Sequence, residues 1–504
     1  MDLGLWVAGG QHSTGEDADV LVDALAHAAD PDLALLTLSR LADAAQRTGE
    51  DTVLMARLRT DEAFRTALVA VLGASAALGD HLVANPAEAM RLDGPPELEF
   101  DATAKAGVPE LRLAYRRALL RIAVADLTGA AEVTTTMASL TGLAESTLRA
   151  AFAVAGGTPQ TRLAVIAMGK CGGGELNYVS DVDVIYACAS DEDIASVTPI
   201  AIRLMQICAD VAWPVDATLR PEGSRGPLVR TIASHLAYYR KWARTWEFQA
   251  LLKARPVAGD IALGEEWLAG LQDLIWHAAE RPEAVEDIRA MRRRIIDAVP
   301  RDEVDREIKR GPGGLRDIEF AVQLLQLVHG RADDALRATG TIAALTALRA
   351  GGYVGRDDAD ALIRAYQFLR TVEHRLQLQR LRRTHTVPAA STPQEASALR
   401  WLAQSLGYRP TVDRDAVAAF RTDWVAHSAE VRRLHAKLLY RPLLDAVARV
   451  PSQDLTLSTQ AARSRLEVLG YADPAGALRH IQALTGGVSR TAAIQRTLLP
   501  VLLS

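Results

Sequence analysis

Residues 171 to 186 read CGGGELNYVSDVDVIY: a glycine run, a polar turn, then Asp181 and Asp183 entering a β-branched apolar stretch. No other stretch restricts the fold as tightly, because its period is that of a strand. Side chains alternate across a strand, so Asp181 and Asp183 share one face while Val182 and Val184 take the other. A carboxylate buried without a partner costs on the order of several kcal/mol, so something positive must meet this face. TRLAVIAMG (161 to 169) reads as a neighbouring strand ending in glycine, and PVDATLRP (214 to 221) as a third. Asp216 begins that third strand, with Thr218 and Arg220 on its own face. Between the second and third strands, TPIAIRLMQICADVAW reads as a helix capped by Thr198, with Pro199 in its first turn. Its apolar stripe is Ala201, Leu204, Met205, Cys208 and Ala212. A helix of about 14 residues can return the chain beside the strand it left, which brings Asp181, Asp183 and Asp216 together.

Around this unit the chain is helical. ADVLVDALAHAA and DLALLTLSRLADAA repeat apolar residues at three- and four-residue steps, with PDL at 31 to 33 as a start signal. RLDGPPELEFDATAKAGVPE, near 91 to 110, is a loop. ELRLAYRRALLRIAVADLTG and EVTTTMASLTGLAESTLRAAFAVAGG are long helices, the latter closed by glycines. The pattern turns helical again from 263 to about 445, broken by KRGPGGLRD, and no internal repeat is evident. The expected fold is mostly α with an embedded α/β domain. It divides into a helical N-terminal region (1–110), a catalytic domain with leading helices (111–262), a helical bundle (263–445) and a small helical appendage (446–504).

A formal net charge of −5 over 504 residues argues against a nucleic-acid binder. Cys171, Cys188 and Cys208 form no CxxC pair, so a structural zinc site or disulfide framework is not expected, and a reduced cytoplasm is the simplest location. No apolar run approaches the roughly 20 residues of a membrane helix, and MDLGLWVAGGQHSTGED lacks the basic start and apolar segment of a signal peptide.

Converging carboxylates beside glycines suit a hard divalent cation such as Mg²⁺, which takes carboxylate oxygens together with substrate phosphates. A DxD pair alone is more often a solvated strand end. The glycine run strengthens the metal reading, since glycine lets backbone N–H groups approach phosphate, and Lys170 adds a cation. GKCGGG nevertheless lacks the GK[ST] order of a P-loop and is not GxGxxG, so a plain turn stays open for the glycines.

The order strand, MGKCGGGELNYVSDVDVIY, helix, VDATLRPEGSRGPLVR resembles the nucleotidyltransferase superfamily related to DNA polymerase β. More narrowly it resembles the bifunctional glutamine synthetase adenylyltransferase/adenylyl-removing enzymes. RIAVADLTG, YYRKWARTWEFQALLKARPVAGD and IKRGPGGLRDIEFAVQLLQLVHG carry the same likeness, which covers most of 110 to 385 and points to an actinobacterial branch. It implies a two-half enzyme of which this chain has one copy of each motif. GELNYVSDVD and Arg316 in GGLRDIEF resemble the N-terminal half, which removes AMP from a tyrosine of glutamine synthetase using phosphate and yields ADP. The implied metal set is Asp181, Asp183 and Asp216, holding Mg²⁺ or Mn²⁺. Implied phosphate and nucleotide contacts are Gly169, Lys170, Gly172, Gly173, Gly174, Ser180, Arg220, Lys253, Arg255, Lys309 and Arg316. The implied partners are adenylylated glutamine synthetase and a PII signal protein, with neither nucleic acid nor membrane.

TWEFQALLKAR places Trp246, Glu247, Gln249, Lys253 and Arg255 on or near one helix, where core packing is the expectation for Trp246. Asp317 and Glu319, at a helix start, complement the helix dipole. The arginines of TVEHRLQLQRLRRTHTVP read as a solvated face and His374 as packing, having no second histidine at i+4. Two other functions stay open: the opposite adenylyltransferase, which uses the same carboxylates, and a non-enzymatic docking module.

Overall fold

The computed structural model describes residues 6–7, 11–12, 16–96, 107–281, 283–439 and 473–485. Of the expected appendage, all but the helix Pro474–Thr485 and the residue before it lies outside these. The architecture is mostly α, with a separate antiparallel pair, Trp6–Val7 and Gln11–His12, and one small mixed sheet inside the helices. Its strands are β1 (Leu163–Ala167), β2 (Val182–Cys188), β3 (Val215–Asp216), β4 (Val229–Thr231) and β5 (Arg255–Gly259). They run in the order β3-β2-β1-β5, with β4 also pairing to β2. The β1 strand is antiparallel to β2 and β5; β3 and β4 are parallel to β2. The parallel return from β2 to β3 is the one expected from the sequence.

Several local expectations are corrected. The third strand is only two residues long, because the Thr218 N–H donates to Asp216 Oδ1 at 2.7 Å and turns the chain away. Thr218 and Arg220 therefore do not extend the Asp216 face. The crossover helix is Asp191–Val211, and it starts earlier than Thr198. Ser190 and Asp193 form a capping box, and three acidic residues fill its first turn. Pro199 lies inside the helix on its exposed side, where water can satisfy the carbonyl it leaves free. This same helix is long and apolar enough to cross a membrane by length and composition, as is the bent pair Glu62–Ala74 with Ala76–Ala84, contrary to expectation. It instead lays Val197, Ala201, Leu204, Ile207 and Cys208 into the core. The sequence also missed β4 and β5. Pro256 weakens the strand signal in β5, and the strand is tolerated because it is the sheet edge.

The N-terminal helices form as read. Pro31–Thr48 has Asp30 as N-cap, accepting from the Leu33 N–H at 2.9 Å, and ends at Gly49. These helices pack with Val108–Leu127, Val133–Val154 and one sheet face, so Leu163, Val165, Val182, Val184 and Tyr186 share a core with Leu38 and Phe64. The alternate residues Ala164, Ile166, Ile185 and Ala187 face the second core, built from Ile261–Trp276, Leu315–His329, Arg356–Leu378 and Ala416–Leu439. Each fully buried Val, Leu or Ile is worth about 1.5–3 kcal/mol over exposure. A one-residue slip of β2 would invert both faces, which fixes its register. Asp181 and Asp183 consequently face the helical bundle.

Candidate active site

The site begins where β1 hands over to a one-turn helix, Gly169–Gly172. Gly169 has φ +54, and a Cβ there would lie 2.5 Å from Asp183 Oδ2, so only glycine leaves that carboxylate in place. Asp183 stands opposite Asp216 in the parallel register of β2 and β3. Burial, then the neighbouring Asp216 and Asp181, push the Asp183 carboxyl up to about 6 against the opposing pull of Arg316 and Lys309. A positive charge at this spot would relieve that strain. Asp181, just ahead of β2, pairs with Arg383, and Ser180 Oγ donates to the Asp181 carbonyl.

A cavity of about 340 Å³ opens over these groups, with Gly169, Lys170, Ser180, Asp181, Asp183, Asp216, Lys253, Lys309, Arg316 and Arg383 around its charged end. Lys309, whose pKa burial pulls down, has no hydrogen-bond or ion-pair partner for its ammonium among the described residues. Arg316 gives Nη1 to Glu319 Oε2 at 2.7 Å and keeps the rest of its guanidinium open, its side chain 39% exposed. Burial alone would raise Glu319, yet Arg316, Lys253, Lys170 and Lys309 hold it down to about 2.

Other expected contacts are taken up by the protein itself, Lys170 and Lys253 at the cavity wall and the rest away from it. Lys170 Nζ is bound to both carboxylate oxygens of the fully buried Glu373 at 3.0 Å. Lys253 follows the end of the helix Thr245–Leu251 and is taken by Glu175 Oε2 at 3.2 Å and Thr341 Oγ1 at 3.0 Å. Arg255 is on β5, bonding to Glu145 and the carbonyls of Cys171 and Gly172. Arg220 closes its own loop on Ala217, Ser224, Gly226 and Pro227. Gly172, Gly173 and Gly174 do not line the cavity. A Cβ on Gly172 would meet the Lys253 carbonyl at 1.8 Å, so this glycine serves close backbone packing.

The following residues, ELNYV, fasten the loop. Glu175 accepts from the Thr341 N–H at 2.6 Å and Ile342 N–H at 3.2 Å, at the start of the helix Thr341–Ala350. Gln377 Oε1 accepts from Asn177 Nδ2 at 2.7 Å and the Val179 N–H at 2.9 Å. Tyr178 donates to Asp126, itself paired with Arg375 at 2.6 Å. Arg375 is thus buried, not solvated, as is the preceding Arg370, which donates to the Glu175 and Leu176 carbonyls. Buried polar groups need such partners. His374 packs edge-on against Tyr178, and burial pulls it down to about 3. Asp317 goes beyond a helix-dipole role, accepting from Arg292 Nε at 2.7 Å and the Gly313 N–H at 2.6 Å.

Sequence reading missed Arg383, Glu319 and Glu373 as parts of this centre. For Glu373 the available signal was the alternation of charged with apolar residues in 371 to 378; Arg380, Arg382 and Arg383 are exposed, as a solvated face implies. Trp246 is also corrected: it is half-buried on the cavity wall, beside Gln249 and Ala250. Among the described residues, no three His, Cys, Asp or Glu side chains converge tightly enough to hold a metal as they stand. The adjacent Asp183 and Asp216 do fit a cation that takes one or two carboxylates and completes its shell with phosphates and water. Asp181, one of whose oxygens is held by Arg383, would join them through its other oxygen or by giving up that pair.

The family model described as glutamate-ammonia ligase adenylyltransferase matches residues 98–270, and that described as GlnD PII-uridylyltransferase matches residues 289–439. The chain is 54% identical to a bifunctional glutamine synthetase adenylyltransferase/adenylyl-removing enzyme of Streptomyces avermitilis, over 96% of this chain and 50% of that protein. It is similar to proteins of the same description in Mycolicibacterium smegmatis (46%, covering 97% and 52%) and Corynebacterium glutamicum (43%, covering 95% and 51%). The chain spans about half the length of these relatives.

Proposed function

Because this chain belongs to the family of bifunctional glutamine synthetase adenylyltransferase/adenylyl-removing enzymes, we propose that its cavity removes AMP from adenylylated glutamine synthetase by phosphorolysis. The carrying observation is the pair of available cations, Lys309 and Arg316, opening onto Asp183 and Asp216. That arrangement supports an anionic co-substrate seated next to a phosphodiester. An oxygen of inorganic phosphate forms a bond to the adenylyl phosphorus as the bond from phosphorus to the tyrosine oxygen breaks. The products are ADP and a phenolate that takes a proton from water.

Lys309 and Arg316 would hold the attacking phosphate and offset its repulsion by the diester, the arginine as a two-pronged donor. Phosphate is already ionised near neutral pH, so no strong general base is required. Asp183 and Asp216, joined by Asp181, would hold Mg²⁺ or Mn²⁺, which when bound neutralises charge on the transferring group. Gly169 keeps Asp183 in position, and Ser180 steadies the turn ahead of it. The match of residues 289–439 to a PII-uridylyltransferase model supports a PII signal protein as regulator, acting in the cytoplasm.

The test is incubation of adenylylated glutamine synthetase with this chain, Mg²⁺ and phosphate. ADP release that depends on phosphate is the expected result. AMP release would mean hydrolysis, AMP incorporation from ATP would establish the opposite transfer, and no reaction in either direction would leave a docking role.

A further inference from the structure

We infer that Gln249 and Gln323 form a base-reading pair that selects adenine at the far end of the cavity, an assignment that rests on the adenylyl-removing reading and extends it. Gln249 lies on the helix Thr245–Leu251 and Gln323 on the helix Leu315–His329. Their residues are 4% and 7% exposed, yet both line the cavity. Gln249 Nε2 donates to Gln323 Oε1 at 2.8 Å. Each amide then has an unused group: Gln249 Oε1 is an acceptor and Gln323 Nε2 a donor, with no other protein partner among the described residues. Neither is a sealed, unsatisfied atom, so both are left to whatever fills the cavity. Turning both amides over exchanges their roles but still leaves one donor and one acceptor.

The surroundings match a nucleobase. Trp246 and Ala250, four residues apart on one helix, and Phe320, Met291 and Ile295 supply flat and apolar walls. Arg316 and Gln323 are on the same helix face, seven residues and so about 10 Å apart along the axis. That spacing suits a nucleotide with its phosphate at Arg316 and its base at the glutamines. The exocyclic amine of adenine donates to Gln249 Oε1, and a ring nitrogen, N1 or N7, accepts from Gln323 Nε2. Guanine has two acceptors on its Hoogsteen edge, which this pair does not match; its Watson–Crick edge matches only with the base or both amides turned over, which redirects the ribose or demands room for the 2-amino group.

Binding of ADP and GDP to the full chain with Mg²⁺, measured by calorimetry, tests this without any adenylylated substrate. We expect ADP to bind at least about tenfold more tightly than GDP, the discrimination of one well-placed buried hydrogen-bonding group. Gln249→Met and Gln323→Met keep side-chain volume and remove the amides. Each should weaken ADP by about tenfold and bring the two nucleotides close to parity, with inorganic phosphate binding unchanged. A glutamine pair that only ties two helices together predicts a lower melting temperature with the ADP preference intact, which would overturn the assignment. Equal wild-type binding of ADP and GDP would overturn it as well, even if neither variant folds. Selective ADP binding without phosphate-dependent turnover would reject the adenylyl-removing reading and leave the base pair standing; turnover with no base preference would do the reverse.

Discussion

Gly169→Ala and Gly174→Ala separate the two tasks of the glycine run. Both residues have left-handed backbone, φ +54 and +72. An alanine held there costs about 1–2 kcal/mol, so both variants should lose that much stability. They differ in what the new methyl meets: Asp183 Oδ2 at 2.5 Å for Gly169, and nothing within 4 Å for Gly174. Relief to ordinary contact at 169 needs a shift of about 1 Å. The group that yields is the end of a flexible side chain, so little further stability is lost. The carboxylate that yields is the one facing Asp216, however, and a misplacement of about 1 Å can reduce a rate on the order of a hundredfold. Denaturation midpoints and phosphate-dependent ADP formation should be measured on the same preparations. Gly174→Ala should turn over near the wild-type rate, and Gly169→Ala about a hundredfold more slowly at equal stability. Equal turnover by the two variants would refute the argument that Gly169 is there to seat Asp183.

Arg316→Lys keeps the charge but loses the two-pronged donor, and should raise the apparent KM for phosphate by roughly ten- to a hundredfold, the loss of about 1.5–3 kcal/mol; a proportional loss for both substrates would mean that the Glu319 pairing only steadies the helix. Arg383→Ala frees Asp181 from an exposed pair worth about 1 kcal/mol or less, so Mn²⁺ titrated by paramagnetic resonance should bind up to about fivefold more tightly, and an unchanged affinity would separate Asp181 from the metal. Stability should fall with acid through His374, which is held neutral by burial with its pKa at about 3. The unfolded chain takes up a proton near pH 6.5 that the folded one refuses, so stability present above about 6.5 is lost as pH falls toward 3, by up to ~1.4 kcal/mol per pH unit. Urea midpoints at pH 7 and 5.5 should converge in His374→Gln relative to wild type, and an identical pH response in both would remove His374 as a source.

What the sequence determined by itself was local. The period of two in β2 and the helical periods on either side specify a strand with Asp181 and Asp183 on one face, inside a helical chain. The glycines before it mark a turn, PDL at 31 to 33 starts a helix, and the spacing from β2 to Asp216 allows a parallel return. Those signals are legible because each lies within a few neighbouring residues. The termini of short strands were not, since β3, β4 and β5 owe their existence to partners far along the chain. Nor could the sequence sort the cations. Lys170, Lys253, Arg255, Lys309 and Arg316 look equivalent in a string, and only the packed structure assigns the first three to Glu373, Glu175 and Glu145 and leaves Lys309 and part of Arg316 available. A buried charge must find its counter-charge wherever the fold brings one within reach. Those counter-charges come from residues tens to hundreds of positions away, so tertiary structure alone decides which cation holds the protein together and which is left for a ligand.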